Sequence, residues 1–136
     1  MWEHFHHEAD IGVRGRGGSP AMAFEATALA LTAVITDPET VDCREHVIIE
    51  CEAQDLELLL VDWLNALVYE MATRRMLFQQ FRVELDGYRL HASACGEPID
   101  IARHQPAAEV KGATYKQLSV HEERSGEWCA QCVVDV

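Results

Sequence analysis

The chain has 136 residues, 49% of them hydrophobic and 25% charged, with 11 Lys+Arg against 23 Asp+Glu for a formal net charge of −12. This length fits one domain with room for a hydrophobic core, and no apolar run approaches the ~20 residues that span a bilayer. The acidic excess repels polyanions, and nucleic-acid affinity comes largely from neutralised phosphates, so direct sequence-specific RNA or DNA binding is not expected.

The polar, His-rich start lacks the h-region of a signal peptide, and a cytoplasmic protein is the expectation. The five cysteines (Cys43, Cys51, Cys95, Cys129 and Cys132) are odd in number and scattered. They predict reduced thiols rather than a disulfide framework.

Residues 5–13 read as extended and 15–18 as a glycine-rich turn. Ser19 and Pro20 then make an N-cap and first helical position. The helix they open runs to about Ile35, with Phe24, Ala28, Leu31 and Ile35 on one face, and Thr36-Asp37-Pro38 ends it. A strand is predicted over 46–51. The clearest helix covers 55–71, where Leu56, Leu59, Leu60, Trp63, Leu64, Leu67 and Met71 form one stripe. Asp62, Asn65 and Tyr69 lie opposite that stripe.

From Leu77 the period becomes two, through Phe81, Val83 and Leu85 to a hairpin signal at Asp86-Gly87, then along Leu90, Ala92 and Ala94. A loop over 96–106, a strand over 110–120, a turn at "EERSGE" and a last strand over 128–134 complete the chain. Two helices beside five to seven largely antiparallel strands predict an α+β, two-layer single domain over residues 1–136.

Several motifs invite chemistry. "GRGGSP" would offer backbone N–H groups to an anion, but it lacks the Lys and Ser/Thr of a P-loop. A strand-to-helix turn is the better reading, with Arg14 and Arg16 free to meet an acidic partner. Cys129 and Cys132 form a C-x-x-C inside an alternating strand. Their odd separation sends the two sulfurs to opposite faces, which argues against shared chelation. His4 and His6 share a face without two further ligands; His7 is better placed to orient a carboxylate. Asp10, in "ADIGV", and Asp135, after "CVV", put carboxylates on buried-type strands. They are either solvated strand-end groups or paired with a cation.

Four blocks resemble the archease family, protein cofactors of RtcB-type RNA ligases. His7-Glu8-Ala9-Asp10-Ile11-Gly12 is similar to the family's opening His-Thr-Ala-Asp-(Val/Ile)-Gly. "LLVDWLNALVYE" resembles its central helix. "GEPID", His104 and "EVKGATY" resemble its middle block, and Val134-Asp135-Val136 its hydrophobic-Asp-hydrophobic ending.

The resemblance implies a non-catalytic activator that helps the ligase load guanylate from GTP, with Mn²⁺ at the ligase site, and turn over repeatedly in tRNA splicing or RNA repair. It implies a divalent cation, Ca²⁺ foremost with Mg²⁺ or Mn²⁺ as alternatives, held by Asp10, Asp135 and the main-chain oxygen of Val136. His7 and Glu8 stand as neighbours of that site. The terminal carboxylate at Val136 is a further expected oxygen. A chaperone-like role for another RNA-processing enzyme, such as a tRNA methyltransferase, is the alternative that the family resemblance leaves open. Glu8 stands where the family usually has Thr, and Lys116 where it often has His.

Overall fold

The computed structural model describes all 136 residues, Met1–Val136. Its eight strands pair antiparallel throughout and divide between two sheets. In the first, β1 (Trp2–His7) pairs β2 (Asp10–Gly17), which pairs the last strand, β8 (Trp128–Asp135). The far side of β8 takes two short strands, β6 (Gly112–Ala113) and β7 (Ser119–Glu122). The second sheet has the order β3-β5-β4, from Glu45–Glu52, Arg89–Pro98 and Met76–Asp86. The α+β class and antiparallel pairing match the expectation, with the strands shared between two sheets.

Helix α1 (Pro20–Ile35) explains the division. Residues round most of its circumference are buried, including Ala23, Phe24, Ala26, Ala28, Ala30, Leu31 and Val34. A helix apolar on so many sides needs cover on more than one face. Two buried threonines tie it to both sheets: Thr27 Oγ1 donates to Ala130 O of β8 (3.2 Å) and Thr32 Oγ1 to Phe78 O of β4 (2.6 Å). Helix α2 (Leu56–Arg74) lays its Leu59–Leu60–Trp63–Leu64–Leu67–Met71 stripe on the same core, and Trp63 Nε1 donates to Phe24 O at 3.1 Å. One apolar cluster, from Val13 to Val134, joins both helices and both sheets. No helix is long and apolar enough to cross a membrane.

Both long helices start where the residues direct. Ser19 and Asp55 accept from Met22 N and Leu58 N as N-caps, and Pro20 takes the first position of α1.

Several local expectations need correction. The stretch 5–13 read as extended is broken by a turn at Glu8-Ala9, which separates β1 from β2. The glycines predicted as a turn belong largely to β2, which continues to Gly17. They are small because α1 lies on them: a Cβ on Gly15 would sit 2.2 Å from Thr27 N, and one on Gly17 2.5 Å from Met22 Cβ. In the β4–β5 hairpin Asp86 pairs with Arg89, so the two loop residues are Gly87 and Tyr88. Gly87, with φ 60°, takes the left-handed conformation there. The 96–106 loop is instead the end of β5 and a single turn, α3 (Ile101–His104). The predicted 110–120 strand breaks into β6 and β7, since Gln117 between them takes φ 55°.

Candidate metal centre

The register of the first sheet builds the site. His7 pairs with Asp10 across the β1–β2 turn, Ile11 with Val134 across β2–β8, and Gly112 with Asp135 across β6–β8. One step beyond Ile11–Val134, Asp10 and Asp135 stand side by side. Side chains opposite one another in a sheet share a face, so His7, Asp10 and Asp135 form one transverse row. Alternation sends Ile11, Val13, Cys132 and Val134 into the core and this row to the other face.

Asp10 is half-buried and Asp135 exposed. Val136 N lies 3.5 Å from Asp10 Oδ1, a long contact that sets the last residue against the first carboxylate. His7 Nδ1 is buried and has no hydrogen-bond partner. Neither aspartate has a basic partner; the arginines on the same face are held elsewhere. Arg14 and Arg16 both bind Glu3, Arg16 also binds Glu123 at 2.8 Å, and Arg14 donates to Gln131 and covers the Phe5 ring at 4.6 Å. These guanidiniums hold the Glu3 carboxyl below its ordinary range. The acidic groups that Arg14 and Arg16 meet are thus this chain's own Glu3 and Glu123.

The donor set fits a hard dication. Two side-chain carboxylates and the main-chain oxygen of Val136 supply only oxygen, the ligand type of Ca²⁺, Mg²⁺ and Mn²⁺. A dication there offsets the repulsion of two adjacent carboxylates that lack any other counter-charge. Glu8 is exposed in the β1–β2 turn at φ 53°, a left-handed backbone position that is costly for a non-glycine residue. Of the other histidines, His4 Nε2 lies 2.8 Å from Ala30 O of α1, and His6 is exposed.

A second polar centre was not anticipated. Glu97, only 1% exposed, accepts from Arg103 Nη1 (2.8 Å), Asp42 N (2.8 Å) and His104 Nε2 (2.9 Å). Asp100 N donates to His104 Nδ1, which leaves Nε2 to carry the proton toward Glu97. Chiefly the Arg103 guanidinium, then the Asp42 N–H, hold the Glu97 carboxyl far below its ordinary range. This cluster clips the end of β5 to α3 and to the loop before β3. The one sequence signal was a glutamate embedded in "GEPID".

The cysteines divide. Cys51, Cys129 and Cys132 are free, while Cys43 and Cys95 are joined in a disulfide. That bridge corrects the expectation of reduced thiols throughout. The β3–β5 ladder brings residues 52 apart in the chain together, and spacing alone does not reveal such pairing. The C-x-x-C reading holds: Cys132 lies opposite core-facing Val13 and Cys129 opposite Arg16 on the other face. Burial pushes the Cys132 thiol up to about 12 and the Cys51 thiol to about 11, so both are poor nucleophiles.

The model of the archease protein family matches residues 2–136. The chain belongs to the archease family. Among its relatives, the protein archease of Thermococcus gammatolerans is 42% identical, over 99% of this chain and 98% of that one. Those of Pyrococcus furiosus and Methanopyrus kandleri are 40% and 39% identical over at least 99% of both chains. The solution structure of Methanobacterium thermoautotrophicum protein 1598 superposes with a TM-score of 0.85 at 30% identity, covering 99% of this chain and 98% of that one.

The archease-like blocks converge in space. The opening block is the turn carrying His7 and Asp10, and the closing block carries Asp135. From the helix block, Asn65 Oδ1 accepts from Ala113 N at 2.8 Å, which pins β6 against the Asp135 end of β8. Lys116 is exposed, and its backbone oxygen accepts from Val133 N at 3.0 Å.

Proposed function

We propose that this archease is a non-catalytic protein cofactor of an RtcB-type RNA ligase. It promotes guanylylation of the ligase and its repeated turnover in tRNA splicing or RNA repair. Asp10, Asp135 and the main-chain oxygen of Val136 hold a divalent cation, Ca²⁺ foremost. The observation that carries this reading is the convergence of the opening and closing blocks on one acidic row without a basic partner. A bound dication supplies positive charge and open coordination positions to oxygen ligands from a partner. The chain's own elements hold the row in register: the β1–β2 ladder pairs His7 with Asp10, and Asn65 pins β6 beside Asp135. A net charge of −12 favours a protein partner over bare RNA.

The test mixes the full chain with an RtcB-type ligase, GTP and Mn²⁺ and measures transfer of guanylate to the ligase. Stimulation is expected for the wild type and its loss for Asp10→Asn and Asp135→Asn, both of which remain folded. No stimulation at any ratio, or full stimulation by both variants, would overturn the reading.

A further inference from the structure

Cys43, His46 and Cys95 form a constellation remote in the fold from the oxygen row. Their ligand atoms all lie within 4.8 Å of one another. His46 Nε2 stands 3.6 Å from Cys95 Sγ, close to the ~3.5 Å expected between nitrogen and sulfur ligands on one tetrahedral zinc ion. The other ring nitrogen, Nδ1, lies 3.2 Å from Ser93 Oγ. A hydrogen bond to the distal nitrogen is what usually orients a metal-binding imidazole. Cys43 and His46 have C-x-x-H spacing, and Cys95 pairs directly with His46 in the β3–β5 ladder.

The three groups do not depend on the S–S bond for their proximity. Asp42 N donates to Glu97 Oε2 at 2.8 Å and Arg44 N to Gly96 O at 3.0 Å, so the chain is fastened to β5 on both sides of Cys43. Opening the bridge therefore leaves both sulfurs and the imidazole gathered. Two thiolates on one zinc ion stand ~3.8 Å apart, a separation that rotation of the exposed Cys43 side chain supplies. Cys43 and His46 are exposed and Cys95 is buried, so solvent reaches the cluster from one side.

We propose that Cys43, His46 and Cys95 are a redox-gated site for a thiophilic dication of the Zn²⁺ class, closed by the disulfide and opened by a thiol reductant. Two equivalents of a monothiol donate two electrons to the bridge and become one disulfide, leaving Cys43 and Cys95 as thiols. Zinc then displaces one proton from each thiol and binds the two sulfurs and His46 Nε2, with water in the fourth position. The disulfide of a small monothiol reverses the step: it takes two electrons from the two zinc-bound thiolates and leaves as two thiolates, and the re-formed Cys43–Cys95 bridge expels Zn²⁺. Soft sulfur ligands select zinc over the hard ions suited to the Asp10–Asp135 row.

Cobalt(II) serves as the probe, titrated into the full chain before and after reduction by a thiol that is then removed. Reduced chain is expected to take up one Co²⁺ with thiolate-to-cobalt charge-transfer absorption, which Zn²⁺ then displaces. The oxidised chain, Cys43→Ser and Cys95→Ser show none of that absorption. Ser93→Ala weakens binding roughly tenfold through the unanchored imidazole, and His46→Ala shifts the ligand-field spectrum by loss of the nitrogen. The exposed positions 43 and 46 keep the test intact if Cys95→Ser fails to fold. Absence of thiolate absorption from the reduced chain overturns the proposal. So does its survival in Cys43→Ser, which would trace it to Cys51, Cys129 or Cys132.

Discussion

At the residue scale, Glu97 is the most constrained acid in the molecule. Its folded-state carboxyl lies below the ordinary value of 4.5. A depressed pKa contributes stability that is complete above the unfolded value and drains away as pH falls toward the folded one. Glu97→Gln is therefore expected to flatten the loss of stability below about pH 4.5. Urea denaturation followed between neutral pH and pH 2 checks this, with an unchanged slope as the contrary result. Asp10 and Asp135 were legible as candidates because a carboxylate within an apolar strand is conspicuous. Glu97 was not: it sits at the end of β5, while its three partners come from α3 and from the loop before β3, and no periodicity connects them.

At the level of elements, α1 and β2 show how a local pattern misleads. "GRGGSP" has the composition of a turn, yet Gly15 and Gly17 are strand residues under a helix. Gly15→Ala drives a methyl into the backbone of α1 near Thr27 and is expected to cost about 1–3 kcal/mol. Gly18→Ala meets only the Met22 sulfur at 3.8 Å and should be close to neutral. Thermal unfolding of the two variants separates close packing from a turn requirement, which would make Gly18 the more sensitive. The helix starts, by contrast, were readable because capping residues act within a few positions of the chain; α2 runs past its expected end at Met71 to Arg74, where Arg75 caps it in the left-handed conformation.

For the molecule as a whole, the decisive event is the pairing of β2 with β8 from opposite ends of the chain. The meeting point is the β1–β2 turn and Val136, while Met1 lies at the other end of the sheet, its amino group donating to Arg16 O at 3.1 Å. If the acidic row binds a dication only when β2 and β8 are paired, binding adds to global stability by mass action. Ca²⁺ at about 100 times its Kd should then stabilise the wild type by about 2.7 kcal/mol. Asp10→Asn and Asp135→Asn should lose that increment. Calorimetry with and without Ca²⁺ reads the difference; an equal shift in all three proteins would place the ion elsewhere.

Composition, capping residues and periodicity determined the class of fold, the two long helices and the hairpin between β4 and β5, because each signal is written within a short span of chain. Register across a sheet is set by which apolar face must be buried, and that is a property of the assembled core. Only the tertiary structure therefore aligned His7, Asp10 and Asp135 in one row, joined Cys43 to Cys95 beside His46, and gathered three donors on Glu97 Oε2.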